Sequence, residues 1–574
     1  MPMTFVLSRR FFIVMSRQAT LFFFPLPRGA IAREFSLDIP SRRRLPIARH
    51  SREESCPSPP LSANFPREKS ECNQRRRGFL LALVRHRQNG MIDVAVVGGG
   101  PGGLAAAVAA KVARPSARVA VFERAAALDP PRGAVLAVVP NGLRALRAID
   151  PLLSSRVAAL DLGARGARAE LRDGTVLFED REGRRADRTA HLGPSSLCTW
   201  HALRRTLAAR AEELGVELVL GAAFEGFEEV GGGGAEGGGG GGGEGFVRLR
   251  LSSPATAATP KTMTTAEARL LVGADGSRSR VRSQMAREGR KEKEKQRGTE
   301  RSRAGLPAAD GDGQADGDEP VYSGTAAWRG VLRLSSAAAW ARSEWGWCAF
   351  LGDQSDAGSP RVVTYAVPAA KLLLPPEGGG ACLVWQLFCR FPAERLPELS
   401  SRLHYAGGDG EAAGSDGTSK TKVERALEAL GPGWPRFLTD AIAATDPSSV
   451  AEHGLYFREA DEAARSWGEG RATLAGDAAH LGTPLLGQGS SAAFEDALAL
   501  GLELRRGGGG GGDGRLDASL LRRYERARIP RAAAIQGASV ALYRRQAAGE
   551  RVDEIGEHLK AGFMEIEFES LWEN

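Results

Sequence analysis

Gly98-Gly99-Gly100-Pro101-Gly102-Gly103 places glycine at the first, third and sixth positions of a turn. Ahead of it, Ile92–Val97 is a continuous apolar run of strand length, and behind it Leu104–Val112 is Ala-rich and helical in character. Strand, tight turn and helix in that order make a site for a pyrophosphate. Gly98 permits the turn, Gly100 lets the backbone approach the anion, and Gly103 lets the helix pack close to the strand. The anion then lies at the helix N-terminus, where unpaired N–H groups and the helix dipole favour negative charge. Arg118–Phe122 reads as the second strand of the same βαβ unit, with Glu123 at its carboxyl end placed to accept hydrogen bonds from an adenosine ribose. The turn alone does not choose between FAD and NAD.

Two later motifs make that choice. Leu271-Val272-Gly273-Ala274-Asp275-Gly276 ends a strand on Asp-Gly and runs into the basic turn Ser277-Arg278-Ser279-Arg280-Val281-Arg282. Ala472-Thr473-Leu474-Ala475-Gly476 ends on Asp477 and is followed by His480, Pro484 and the turn Gly487-Gln488-Gly489. A carboxylate at a strand end can bind ribitol hydroxyls, and glycines at the entry of the next helix let the backbone lie against a flat ring system. Each piece alone is an ordinary strand-to-turn junction; the three in this order point to FAD. His480 reads as a brace for its turn, Trp345-Gly346-Trp347 as core aromatics, and Glu344 and Asp353 as solvated strand-end charges. The sequence holds no metal-ligand cluster and no nucleophile triad. Cys56, Cys72, Cys198, Cys348, Cys382 and Cys389 are scattered without a Cys-x-x-Cys pair, which favours reduced, mostly buried thiols.

Taken together, the motifs resemble the FAD-dependent monooxygenases of the para-hydroxybenzoate hydroxylase and salicylate hydroxylase-like type, with zeaxanthin epoxidase-like relatives. The resemblance runs from Met91 to Arg545 outside the insertions and takes in Pro131-Arg132-Gly133-Ala134, Pro140-Asn141-Gly142-Leu143 and Tyr524-Glu525-Arg526-Ala527-Arg528-Ile529-Pro530. It implies an adenosine-diphosphate site at Gly98, Gly100, Gly103 and Glu123, and Arg132 beside the flavin. Asp275 and Gly276 would lie near the FAD pyrophosphate and the route of the nicotinamide cofactor. Asp477 would bind ribitol, and Pro484, Gly487 and Gly489 would border the isoalloxazine. The implied activity is that of a monooxygenase with NADH or NADPH as electron donor. It would hydroxylate or epoxidise a small organic, aromatic substrate with O2 through a flavin C4a-hydroperoxide. Two positions depart from the pattern. Cys198-Thr199-Trp200-His201-Ala202-Leu203-Arg204 stands where many relatives carry a phosphate-reaching Arg, with Arg204 and Arg205 nearby, and Ser491 stands where Asn is common, its hydroxyl expected at the flavin edge. The rival readings are a reductase or dehydrogenase of the geranylgeranyl-reductase type and a binding protein of the Rab-escort type. The latter does not require Asp477 and the Gly-Gln-Gly turn.

The elements holding these residues imply an α/β fold: a Rossmann-type FAD-binding domain with an interleaved, sheet-containing substrate lobe and a C-terminal helical segment. The domain is expected over 91–548, with the substrate lobe mainly at 155–200 and 320–400 and a tail at 549–574. Gly-rich and charged stretches at 231–245, 284–319, 406–420 and 507–514 lack apolar periodicity and are expected to be flexible insertions. The net charge of +8 suggests nucleic acid until it is located: residues 1–90 hold 17 Lys+Arg against 6 Asp+Glu, and the rest of the chain is at −3. The excess belongs to a leader, so no nucleic-acid partner is inferred. Its apolar stretches, Phe11–Met15 and Leu21–Leu26, are too short to span a membrane. The leader is either a transit peptide, implying plastid or mitochondrion, or lies upstream of a true start at Met91, implying the cytoplasm. Oligomeric state is left open.

Overall fold

The structure is a computed structural model. It describes residues 7–8, 11–15, 21–25, 90–128, 135–163, 166–180, 193–231, 245–253, 261–303, 319–334, 346–353, 356, 358–372, 380–399, 420–459, 466–507, 516–548, 550 and 562–564. Met1–Phe65 forms a unit by itself, in which β1 (Leu7–Ser8), β2 (Phe11–Met15) and β3 (Leu21–Pro25) pair as an antiparallel sheet. Pro66–Asn574 forms the second unit, which contains all the motifs above.

That unit begins with β4 (Ile92–Val97), α1 (Pro101–Ala113) and β5 (Val119–Glu123), followed by β6 (Val135–Val138), α2 (Pro140–Ile149) and α3 (Pro151–Ala158). The hairpin β7 (Ala167–Leu171) and β8 (Val176–Asp180) leads to β9 (Ser196–Thr199) and α4 (Trp200–Glu213). Next come β10 (Glu217–Leu220), β11 (Ala223–Val230), β12 (Phe246–Ser252), β13 (Met263–Gly273) and α5 (Arg280–Arg303). The alternating segment Val216–Phe227 thus divides in two at Gly221, whose φ of +72° makes the turn. β4 and β5 are almost wholly apolar and buried because, as parallel strands, they are covered on both faces.

The first sheet has the order β10-β5-β4-β13-β12-β11, and β19 (Ala472–Leu474) also pairs with β13. β10, β5, β4, β13 and β19 are mutually parallel, and their registers match Val97 with Phe122, Val97 with Gly273 and Gly273 with Leu474. The strand ends that precede Gly98, Glu123, Asp275 and Asp477 therefore form one row. In open α/β sheets that row is where ligands bind.

The second sheet is built from β14 (Val321–Arg333), β15 (Trp347–Leu351), β16 (Arg361–Pro368), β17 (Ala381–Arg390) and β18 (Ala451–Phe457), with β7 and β8 at its edge. One face carries Trp328, Trp385 and Leu387 against α6 (Lys422–Leu430) and α7 (Arg436–Ala443). Both indoles are buried with their N–H paired: Trp328 donates to Glu452 at 2.9 Å and Trp385 to Thr445 Oγ1 at 3.0 Å. Gly330 is required there, since a Cβ would come within 2.5 Å of the Trp385 ring. The sheet therefore extends beyond the expected 155–200 and 320–400. β18 joins through its ladder with β14, a long-range pairing that local sequence does not reveal.

The chain closes with α8 (Asp477–His480), α9 (Gly489–Arg506) and α10 (Ala518–Ala547). A second departure from expectation is α5, which continues to Arg303 through residues taken for part of the 284–319 insertion. Lys, Arg, Glu and Gln are good helix formers, and Val281 and Met285 anchor the first turns in the core. The stretches 231–245, 406–420, 507–514 and 549–574 fall mainly outside the described residues.

Candidate functional site

The motif glycines divide into two kinds by what surrounds them. A Cβ on Gly98, where φ is +107°, would lie 2.3 Å from the Ala274 carbonyl oxygen, and one on Gly103 would lie 2.0 Å from the Gly98 oxygen. These two are forced by the protein's own packing. A Cβ on Gly100, Gly276, Gly487 or Gly489 would meet nothing within 4 Å. These four border open space at the ends of the parallel strands and at the starts of α1 and α9. Neither helix start is capped by a side chain, so N–H groups there remain for an anion.

The acids behave differently from one another. Glu123 is buried and already takes three donors: Gly99 N at 2.7 Å, Ala125 N at 2.8 Å and the Arg204 guanidinium at 3.2 Å. It pins the Gly-rich turn, with roughly one of a carboxylate's four acceptor positions left for a ribose. Arg204 also donates to the Gly99 carbonyl at 2.7 Å, so this buried arginine is committed to the turn. Asp275 accepts from Ser279 Oγ, Arg280 N at 2.7 Å and Val281 N at 3.3 Å, which starts α5. Burial pushes its pKa up against these bonds. Asp477 receives no hydrogen bond from a described residue, and burial pushes its carboxyl upward as well. Of Glu123, Asp275 and Asp477, it alone has a carboxylate that accepts no hydrogen bond from a described residue, with His480 as its charged neighbour.

Behind Asp477 lies a buried charge network that sequence reasoning missed. Asp496 accepts from Gly476 N at 2.8 Å, His480 Nε2 at 2.7 Å and Arg528 Nε at 2.9 Å. Burial works against its charge, but His480 and Arg528 prevail and hold its pKa down to about 2. Glu495 pairs with Arg528 at 2.9 Å and Arg531 at 2.6 Å, and accepts from Asn141 Nδ2 at 2.7 Å. His480 thus braces its turn, with its ring against Trp467. Asn141 also donates to Gln488 Oε1 at 3.0 Å, while Gln488 Nε2 and Asn141 Oδ1 are buried without a partner. Pro484 and the flanking glycines stand beside these orphaned atoms. The one signal available in sequence was Glu495-Asp496 inside the otherwise apolar run from Ala492 to Leu502.

Ser491, expected at a flavin edge, is fully buried: its Oγ accepts from Val139 N at 3.2 Å, and it sits where a Cβ on Gly142 would strike it at 2.5 Å. The small hydroxyl lets α2 dock against α9. Arg132 lies outside the described residues, as do Trp345 and Glu344. Trp347 is half-buried and stacks on Phe178 of the edge strand β8 with ring centres 6.2 Å apart, so it lies at the sheet edge and not in the expected core. Cys198, Cys348, Cys382 and Cys389 are buried; burial raises the Cys198 and Cys389 thiols to about 12. Facing β6 across the site, the second sheet presents the buried Arg329, Gln386 and His453. Arg329 Nε donates to Gln386 Oε1 at 2.9 Å and contacts His453, and Gln386 reaches the Val135 carbonyl at 3.4 Å. A cavity of about 430 Å³ walled by Tyr322, Phe388 and Tyr543 opens between this sheet and α10. Among the described residues no group of three or more His, Cys, Asp or Glu could hold a metal.

Residues 422–539 match the family model described as FAD binding domain. A zeaxanthin epoxidase, chloroplastic, of Oryza sativa subsp. japonica is 36% identical over 130 residues, which is 22% of this chain and 19% of that protein. The aurachin C monooxygenase/isomerase of Stigmatella aurantiaca is 26% identical over 77% of this chain and 86% of its own length. The crystal structure of Klebsiella pneumoniae HpxO complexed with FAD and uric acid superposes with a TM-score of 0.51 at 19% identity, covering 82% of this chain and 96% of that one. The chain shares the fold of this FAD-complexed protein, with C-terminal helices completing it. The protein is related to the FAD-dependent monooxygenases, flavoproteins that include hydroxylases and epoxidases. The match to the rice epoxidase spans about a fifth of that protein's length.

Proposed function

We propose that the protein is a single-component monooxygenase that binds FAD non-covalently, takes electrons from NADH or NADPH, and hydroxylates or epoxidises a small, aromatic organic substrate. The observation that carries this reading is the row of strand ends where four glycines border open space and the Asp477 carboxylate has no hydrogen-bond donor among the described residues. These residues fit FAD. The start of α1 beside Gly100 receives the pyrophosphate, Glu123 the adenosine ribose, and Asp477 the ribitol hydroxyls. Gly487, Gly489 and Pro484 border the ring system, next to the orphaned Gln488 Nε2. FAD, when bound, supplies the redox and oxygen-activating chemistry.

The chain's own residues bind, orient and exclude water. Arg204 and Glu123 fix the Gly-rich turn, and Asp496 with His480 fixes the backbone at Gly476 so that Asp477 points where a ligand needs it. Arg329, Gln386 and His453 are the polar groups available to orient a substrate on the facing sheet, with apolar residues such as Val331 and Val384 around them. Each turnover consumes one NAD(P)H and one O2, leaving one oxygen atom in product and one in water. For location, we favour plastid import of the leader, because the rice relative is named chloroplastic; a fluorescent fusion of residues 1–90 tests it. Among the described residues no helix is long and apolar enough to cross a membrane.

The function is tested with a panel of phenolic acids, quinone precursors and polyenes, following NAD(P)H oxidation, O2 uptake and product mass. A product heavier by one oxygen, with donor and O2 consumed equally, is the expected result. Donor-dependent reduction of a substrate without O2 uptake would contradict it and identify a reductase.

A further inference from the structure

We propose that residues 562–564 are a latch on the proposed flavin-bordering turn, holding its backbone ready for FAD while they are docked and weakening the hold on FAD when they leave. This rests on the FAD site proposed above and extends it to a part of the chain that carries none of its motifs. After α10, residues 562–564 form a helical turn in which Gly562 is exposed, Phe563 half-buried and Met564 only 2% exposed. Removing two apolar side chains from water is what holds so short a segment down. Phe563 packs on the small cluster of Leu486 and Leu542, together with Leu485 and Ala538. Leu485 and Leu486 immediately precede Gly487, and Ala538 and Leu542 belong to α10. The phenyl ring therefore backs the turn that leads to Gly487 and Gly489.

The backbone of the segment is held as well. The Phe563 carbonyl accepts from Arg531 at 2.9 Å, and the Met564 carbonyl accepts from Arg144 of α2. Arg531 also pairs with Glu495 at 2.6 Å, and Arg144 stands in the field of both Glu495 and Arg531. Arg144, Arg528 and Arg531 thus bring three guanidiniums to two carboxylates, Glu495 and Asp496. Their donors outnumber the carboxylate oxygens' acceptor positions, and the two carbonyls fill part of the difference.

The segment consequently joins α2, α10 and the Pro484–Leu486 turn at one place. Asn141 of α2 ties the same network to Gln488, which stands between the two flavin-bordering glycines. A shift of α2 or of Leu486 is passed to both. Three residues held by two side chains and two carbonyls open at lower free energy than the body unfolds. Docking and FAD binding favour the same arrangement of the turn, so each strengthens the other by the same factor.

The test uses the full chain and its Phe563→Ala/Met564→Ala variant, with FAD as the probe. Removing both side chains should weaken FAD binding about tenfold, an ordinary size for coupling between two sites. Phe563→Leu/Met564→Leu, which keeps apolar bulk, should restore most of the affinity. A purely structural contact would be indifferent to the flavin, so the second measurement is hydrogen exchange of the 562–564 amides in the wild type, with and without FAD. Reciprocity predicts that FAD slows this exchange by about the same tenfold factor. This arm requires no variant to fold. Unchanged FAD affinity in the alanine variant, or exchange at 562–564 that does not respond to FAD, overturns the latch and leaves the FAD site standing. A full chain that binds no FAD refutes the cofactor reading, and the latch with it.

Discussion

Asp477 and Asp496 belong to the same strand-turn-helix connection, yet they are held in opposite states. Asp477 is pushed toward its neutral form by burial and has no hydrogen-bond donor among the described residues, whereas Asp496 is kept ionised by His480 and Arg528. A carboxylate that accepts no hydrogen bond from a described residue, with only His480 as a charged neighbour, would gain from a ligand that brings hydroxyls. Asp477→Ala should therefore weaken FAD binding at least about tenfold, since a hydrogen bond to a charged group contributes roughly 1.5–3 kcal/mol. Titration of the flavin-free protein with FAD measures this, and unchanged affinity in a folded variant would remove Asp477 from the site. His480 carries a pH prediction. Burial alone would lower its pKa, but Asp496 outweighs burial and raises it above 6.5. A raised folded pKa gives stability that is fully present below the unfolded value and is lost as pH climbs through the folded one. Melting temperature should therefore fall with rising pH above 6.5 more steeply in the wild type than in His480→Gln. Asp477 could be singled out in the sequence only together with the Gly98–Gly103 turn and Asp275-Gly276, since a strand-end acid before a turn is ordinary by itself. Asp496 could not be, because its partner Arg528 lies on another helix, and a Glu-Asp pair reads locally as exposed charge. The packing role of Ser491 was hidden for a related reason: nothing local announces that its hydroxyl accepts from Val139 N at the start of α2.

At the scale of elements, α9 is the shared wall of the site. Gly501 meets Ala109 of α1, Ser491 meets Gly142 of α2, and Glu495 and Asp496 meet Arg528 and Arg531 of α10. The turn that begins α9 also carries Gly487 and Gly489, so displacement of this helix moves the proposed flavin-binding backbone. Removing one member of a fully buried charge network leaves its partners unpaired, which typically costs about 3–5 kcal/mol. Glu495→Ala should lower stability by that order, read as a shift in the midpoint of denaturant unfolding, with flavin lost before global unfolding. A shift under about 0.5 kcal/mol would show that Arg528 and Arg531 find other partners. The parallel strands and α1, α4, α9 and α10 were readable from continuous apolar runs and helical periodicity, since each is decided locally. The second sheet was readable only in part. β18 gains its place from a ladder with β14 more than a hundred residues away in sequence, and α5 was hidden because a charged helix lacks the apolar stripe that marks most helices.

For the molecule as a whole, the basic leader and the enzyme-like unit are separable in sequence, since no candidate site residue lies before Met91. A chain expressed from Met91 should match the full chain in flavin content and oxygen-dependent turnover. Loss of both in the short form alone would show that the leader contributes to the site. The account depends most on one point: the open row of strand ends is an FAD site that holds its cofactor by hydrogen bonds, charge and packing, without a covalent link. The most direct measurement is to purify the full chain, record its flavin absorbance, denature it with heat or acid, and identify what is released. The account predicts a yellow protein that releases intact FAD, close to one per chain. A colourless protein that does not bind added FAD, or flavin that stays with the denatured polypeptide, would contradict it.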